Sequence, residues 1–205
     1  RMPEQLDADH RAAVEAGDTE TAQRLVDDAA TATGHNIDAY HGGQALDENG
    51  YPITVLMASE KDLGGSIRPS DLGEWLSESR EVAESFVDNE EGRLYSLKVK
   101  LRNPKLFDDY EALEAALEDA GDTVSMRDSL LALGHDGIVI ENSTTDVGIT
   151  RKDYVVFDSR QMKSADPATY DEQGNLIPLS ERFNPESDDI RRMPEQLDAD
   201  HRTAV

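Results

Sequence analysis

Residues 151–165 read RKDYVVFDSRQMKSA. The run Tyr154-Val155-Val156-Phe157 is aromatic and β-branched, the composition of a buried strand. Asp153 stands at its mouth, a carboxylate where an otherwise apolar strand has no need of one. Working back, GIVIEN at 137–142 predicts a second strand of the same kind. RLYSLKVKL at 93–101 alternates, with Tyr95, Leu97, Val99 and Leu101 on one side, and Asn103-Pro104 stops it. IDAYH (37–41) predicts a short strand ended by Gly42-Gly43, and GEWLS (73–77) another. Between these two, ITVLMA (53–58) is an apolar run among turn residues.

Helical spacing fills the intervals. Ala22, Leu25, Val26, Ala29 and Ala30 share a face of a predicted helix over 12–33 that Gly34 closes. Ser79 caps a segment whose Val82, Ala83, Phe86 and Val87 share a face, which makes Phe86 a core residue by default. Leu113, Ala116, Leu117 and Ala120 mark a helix over 109–120, and another runs from about 125 to 133. Helices and strands mix without strict alternation. That predicts an α+β fold with a largely antiparallel or split sheet and flanking helices.

The 205 residues suffice for one domain with a core, and a hydrophobic share of 37% leaves part of the chain outside it. A net charge of −24 repels nucleic-acid backbones and anionic membranes, so neither is expected as a partner. No cysteine is present, which rules out disulfides and thiolate chemistry. No apolar stretch has membrane-spanning length and no signal-peptide pattern opens the chain, so a cytoplasmic protein is expected.

RMPEQLDADHR at 1–11 recurs at 192–202. The repeat has two readings, tandem copies of one unit or a reused linker or processing sequence. Polar and poor in core residues, the segment is read as linker in both cases. The expected division is linker over 1–11, domain over 12–166, and a polar tail or linker, extended or disordered, over 167–205.

Chemistry is expected where polar or aromatic residues meet glycine at strand ends. Tyr40-His41-Gly42-Gly43 ends the first predicted strand, Gly73 precedes the sole tryptophan, Trp75, and Asp153 opens the last. Taken singly, each has a plain structural account: a strand-end histidine, a core anchor, and for Asp153 a strand-start cap or a surface ion partner, since Arg151 and Lys152 precede it.

Together, AYHGG, GEWLSESREVAESF and DYVVFD resemble the three-part active-site pattern of the ADP-ribosyltransferase fold, in its His-Tyr-Glu branch with the poly(ADP-ribose) polymerases. With the helical AAVEAGDTETAQRLVDDAATATG (12–34), GHDGIVIEN and the linker-like LIPLSERFNPESDDIRR (176–192), the chain more closely resembles the ADP-ribosyltransferase-like domain of polyvalent proteins of phages and other mobile elements. The resemblance implies a split antiparallel sheet with NAD as substrate, an unidentified acceptor that is a protein or another molecule, no metal, and a host-cytoplasm location for a phage-encoded chain. It implies that His41, Trp75 and Asp153 are catalytic, and that Tyr40, His41, Gly42, Ser77 and Phe86 bind the dinucleotide. His41 would bond the ribose next to nicotinamide and Gly42 the nicotinamide amide. Ser77 would lie beside the ring, and Phe86, eleven residues after Trp75, would stack on it.

Cleaving the nicotinamide–ribose bond leaves an oxocarbenium-like sugar, which a carboxylate stabilises, while aromatic faces hold the cationic ring. Trp75 replaces a Tyr or Phe of the family, and Asp153 replaces a Glu one methylene longer, about 1.5 Å of reach. Glu141 ends the preceding strand as a possible helper, and Arg68, Arg80 and Arg151 are candidate phosphate partners. Three readings stay open: ADP-ribosyl transfer, NAD hydrolysis to water, and a non-cleaving module that binds NAD or a partner.

Overall fold

The computed structural model describes residues 3–45, 53–54, 56, 66–87, 92–144 and 148–190. The second copy of the repeat, at 192–202, and half of ITVLMA (55, 57 and 58) lie outside the described residues. The fold is α+β. Strands β1 (Ile37–Gln44), β2 (Glu74–Ser77), β3 (Gly92–Val99), β4 (Lys105–Phe107), β5 (Gly137–Thr144), β6 (Thr150–Val156) and β7 (Met162–Ser164) form one mixed sheet of seven. The strand order is β4-β5-β6-β2-β1-β3-β7. Every pairing is antiparallel except β4 with β5.

The two faces carry two cores. Ala39, Leu76, Tyr95, Leu97, Val99, Val139, Tyr154, Val156 and Met162 pack on one face, joined by Leu56 and Ile190. The other face carries Ile138, Ile140 and Val155. On these pack Leu113 and Leu117 of α4 (Tyr110–Ala120), and Met126 and Leu130 of α5 (Thr123–Ala132). Side chains alternate along a strand, so Tyr154 and Val156 join one core and Val155 the other. Asp109 and Asp122 start the two helices, accepting from the backbone N–H of Ala112 and Ser125.

The opening stretch spans the sheet. It forms central β6, turns, and returns as edge β7. Gln161 fixes the turn, its Oε1 accepting from the N–H of Phe157 and Asp158 while its Nε2 donates to the carbonyls of Lys100 and Asp136.

Three expectations change. The helical pattern over 12–33 belongs to two helices, α1 (Pro3–Glu15) and α2 (Thr19–Thr33). Gly17, at a φ of 70°, breaks them apart, and Asp18 caps α2 by accepting from Thr21 N–H. The segment read as linker is therefore mostly α1, with His10 and Ala13 buried. The tail read as extended is packed as far as Ile190. Lys163 donates its ammonium protons to the carbonyls of Asn184 and Ser187, and Leu179 and Phe183 join Leu25, Val26, Ala29 and Ala30 in a third core. Leu179 opens the short helix α6 (Leu179–Arg182).

His35, just past the end of α2, is buried with its ring edge against Phe183, the centroids 5.8 Å apart. Burial disfavours the imidazolium and lowers its pKa from the usual value to about 4. Between pH 6.5 and 4 the unfolded chain binds a proton that the fold excludes, so this contribution is whole above pH 6.5 and is lost on acidification. Buried His10 is shifted in the same direction for the same reason. The urea midpoint of the wild type should fall more steeply over that window than that of His35→Phe. Parallel slopes would exclude the histidine as the cause.

Candidate functional site

Strand register aligns three of the expected residues. Tyr40 of β1 pairs with Ser77 of β2, and Ser77 with Asp153 of β6, so the three form a row across adjacent central strands on one face. Trp75 lies two residues before Ser77 and emerges on the same face. Its indole N–H donates to the carbonyl of Pro69 at 3.0 Å, and its ring stands 6.1 Å from that of Tyr110. Part of Trp75 therefore does what its plain reading expects and anchors the core.

Gly42 lies beside this row, and its lack of a side chain has a packing cause. A Cβ there would stand 1.9 Å from the carbonyl oxygen of Ala83 and 3.2 Å from Cβ of Phe86. The short helix α3 (Arg80–Glu84), capped by Ser79 at Val82 N–H, closes directly over this glycine. Ser77 holds the turn into α3 by accepting from Ser79 N–H at 3.2 Å. Phe86 falls past the end of α3 and is 64% exposed, so it is not the core residue that helical spacing predicts. An exposed phenyl ring beside Gly42 is free to stack on a planar ligand.

Asp153 is 5% exposed and its carboxylate is occupied. Arg151 Nε donates to Oδ1 at 3.1 Å and Nη2 to Oδ2 at 2.8 Å, a bidentate pair. Residues two apart on a strand share a face, and that spacing was the available signal for this pair. As it stands, the carboxylate is neutralised by its own strand.

His41 is not brought to Asp153. Alternation along β1 sends it to the face opposite Tyr40, where its ring lies 6.0 Å from that of Tyr95. Its Nδ1–H donates to the carbonyl of Trp75 at 2.8 Å, with Glu74 Oε1 at 3.3 Å. The ring thus bonds the edge of β2 where β1 and β2 part after their single register pair. Gly43 leaves it room, since a Cβ there would stand 2.7 Å from Nε2. Glu74, buried beside the histidine, is the neighbour that sequence reading missed, because the contact depends on the register between strands distant in the chain.

The remaining candidates are engaged elsewhere or exposed. Glu141 forms an ion pair with Lys152 at 2.8 Å, on the face away from Asp153. Arg80 is paired with Glu84 at 2.8 Å. Arg68 is exposed at the head of a 3-10 turn over Pro69–Asp71. Among the described residues no group of three His, Asp or Glu side chains is placed to hold a metal, and no helix is long and apolar enough to cross a membrane. Comparison with protein-family models, with curated proteins and with solved structures found no match to this chain.

Proposed function

We propose that the chain is an ADP-ribosyltransferase-like domain that cleaves NAD between nicotinamide and ribose and passes ADP-ribose to a protein acceptor. The observation that carries this reading is the row Tyr40–Ser77–Asp153 across three central strands, with Trp75, Gly42 and exposed Phe86 beside it. Phe86 and Trp75 supply aromatic faces for the cationic nicotinamide ring, an attraction of about 1–2 kcal/mol where water is excluded. The C–N bond breaks with its electron pair leaving on nicotinamide, and the acceptor's nucleophile bonds to the ribose carbon. Asp153 stabilises the positive sugar and takes the acceptor's proton.

Arg151 must first let go. The NAD pyrophosphate offers it a bidentate partner of higher charge, so substrate binding draws the guanidinium away and exposes the carboxylate. The histidine has a changed part in this reading. In it, His41 acts by positioning Trp75 through its carbonyl.

The bidentate Arg151–Asp153 pair favours a second reading, a module that binds NAD without cleaving it. Labelled NAD separates the two. Transfer requires nicotinamide release and ADP-ribose on a protein, with release lost by about a hundredfold or more in Asp153→Ala. NAD binding with no release supports the second reading, and absence of both sinks each of them.

A further inference from the structure

Helix α1 is held by few side chains. Leu6 packs against the core formed by α2 and α6. Asp7 accepts from Ser180 N–H at 2.9 Å and from its hydroxyl at 2.5 Å. His10 Nε2–H donates to the carbonyl of Pro167 at 2.7 Å, and Ala13 is buried. These four positions lie on one side of a helix. Each has an identical counterpart near the other end of the chain: Leu197, Asp198 and His201 inside the repeat at 192–202, and Ala204 just beyond it. One seat therefore has two sequences able to fill it.

We propose that residues 192–205 are a second occupant for the seat of α1 on α2 and α6, and that copies of this chain pair by exchange. The C-terminal segment of one copy fills the seat of another. Within a single chain the seat is held by its own α1, and the residues that hold it recur once more in the sequence. A second segment identical in sequence to a docked one is what exchange between copies requires. Released α1 segments would be replaced by the same hydrophobic contact, the same carboxylate on Ser180 and the same imidazole on Pro167.

The full chain carrying Leu6→Asp and His10→Asp tests this, because α1 can no longer hold the seat. Light scattering should give twice the monomer mass of 22.6 kDa, with slowed amide exchange over residues 195–204. Adding Leu197→Asp and His201→Asp should return the mass to that of one chain and the exchange to that of a free peptide. A single-chain mass with fast exchange over 195–204 would overturn the proposal. So would a doubled mass that ignores the second pair of substitutions. A single-chain mass with slow exchange there means that the chain reseats its own end, which also overturns exchange between copies. Should the double variant fail to fold, Asp7→Ala only loosens α1 at Ser180 and is read in the same way. A fourfold or greater rise in the dimer share at equal concentration is then expected, and no rise counts against the proposal.

Discussion

Arg151→Met should lower the unfolding free energy by about 3–5 kcal/mol, because it strands the Asp153 carboxylate in a site that water scarcely reaches. Both partners are nearly buried, with side-chain exposures of 10% and 7%, so little solvent is on hand to replace the guanidinium. The pair itself is worth far less than that loss. Removing both charges together, as in Arg151→Met with Asp153→Leu, should recover most of the stability, since two apolar residues leave no polar group unpaired. Urea unfolding of the two single variants and the double closes the cycle, and a coupling below about 1 kcal/mol would contradict the geometry. Arg151→Lys separates stability from chemistry. Lysine keeps the charge but offers a point donor in place of the planar fork, so the carboxylate is held less firmly. On the cleaving reading, nicotinamide release by this variant should rise about tenfold, the equivalent of one lost charge-assisted bond of ~1.4 kcal/mol. Unchanged NAD binding with no release from either protein would favour the non-cleaving module.

Local signals were legible in the sequence, and register was not. The run Tyr154–Phe157 read as a buried strand because its composition admits little else, and the cap at Ser79 follows from side-chain chemistry within three residues; the caps at Asp109 and Asp122 did not show, because both helices were read without them. Helix α1 escaped notice because its docking side carries little apolar surface, Leu6 packing on the third core while Asp7 and His10 anchor it through polar bonds. Strands β4 and β7 are three residues each at the sheet edges, too short for a period to show. The fold class followed from the order of elements. The face on which each site residue emerges did not, because it depends on register between strands far apart in the chain. His41 is the clearest case. Its strand was anticipated, though β1 runs on through Gly42 and Gly43 to Gln44, and its side relative to Asp153 is fixed by the single pair between Tyr40 and Ser77. The pairing of Arg151 with Asp153 needed no register at all, only the two-residue spacing along β6.

Gly42→Ala should be nearly as damaging to the fold as loss of Arg151, and it should remove ligand binding as well. The added methyl would stand 1.9 Å from the carbonyl oxygen of Ala83, a backbone atom that cannot rotate aside. Helix α3 must therefore lift away from β1, and with it Phe86, whose Cβ would stand 3.2 Å from the new methyl. Overpacking of this kind costs about 3 kcal/mol. The neighbouring glycine is the control. At Gly43 the added methyl would meet His41 Nε2 at 2.7 Å, and a ring can turn where a backbone cannot. Gly43→Ala should accordingly cost only about 1 kcal/mol, chiefly through the bond from His41 to Trp75. Trp75, the sole tryptophan, reports both effects, since its emission follows unfolding in urea and responds to a ring bound beside it. If Gly42→Ala bound NAD as tightly as the wild type, the face formed by Gly42, Phe86 and Trp75 would not be where the dinucleotide sits. A stability loss without any change in binding would leave Gly42 with a packing role alone.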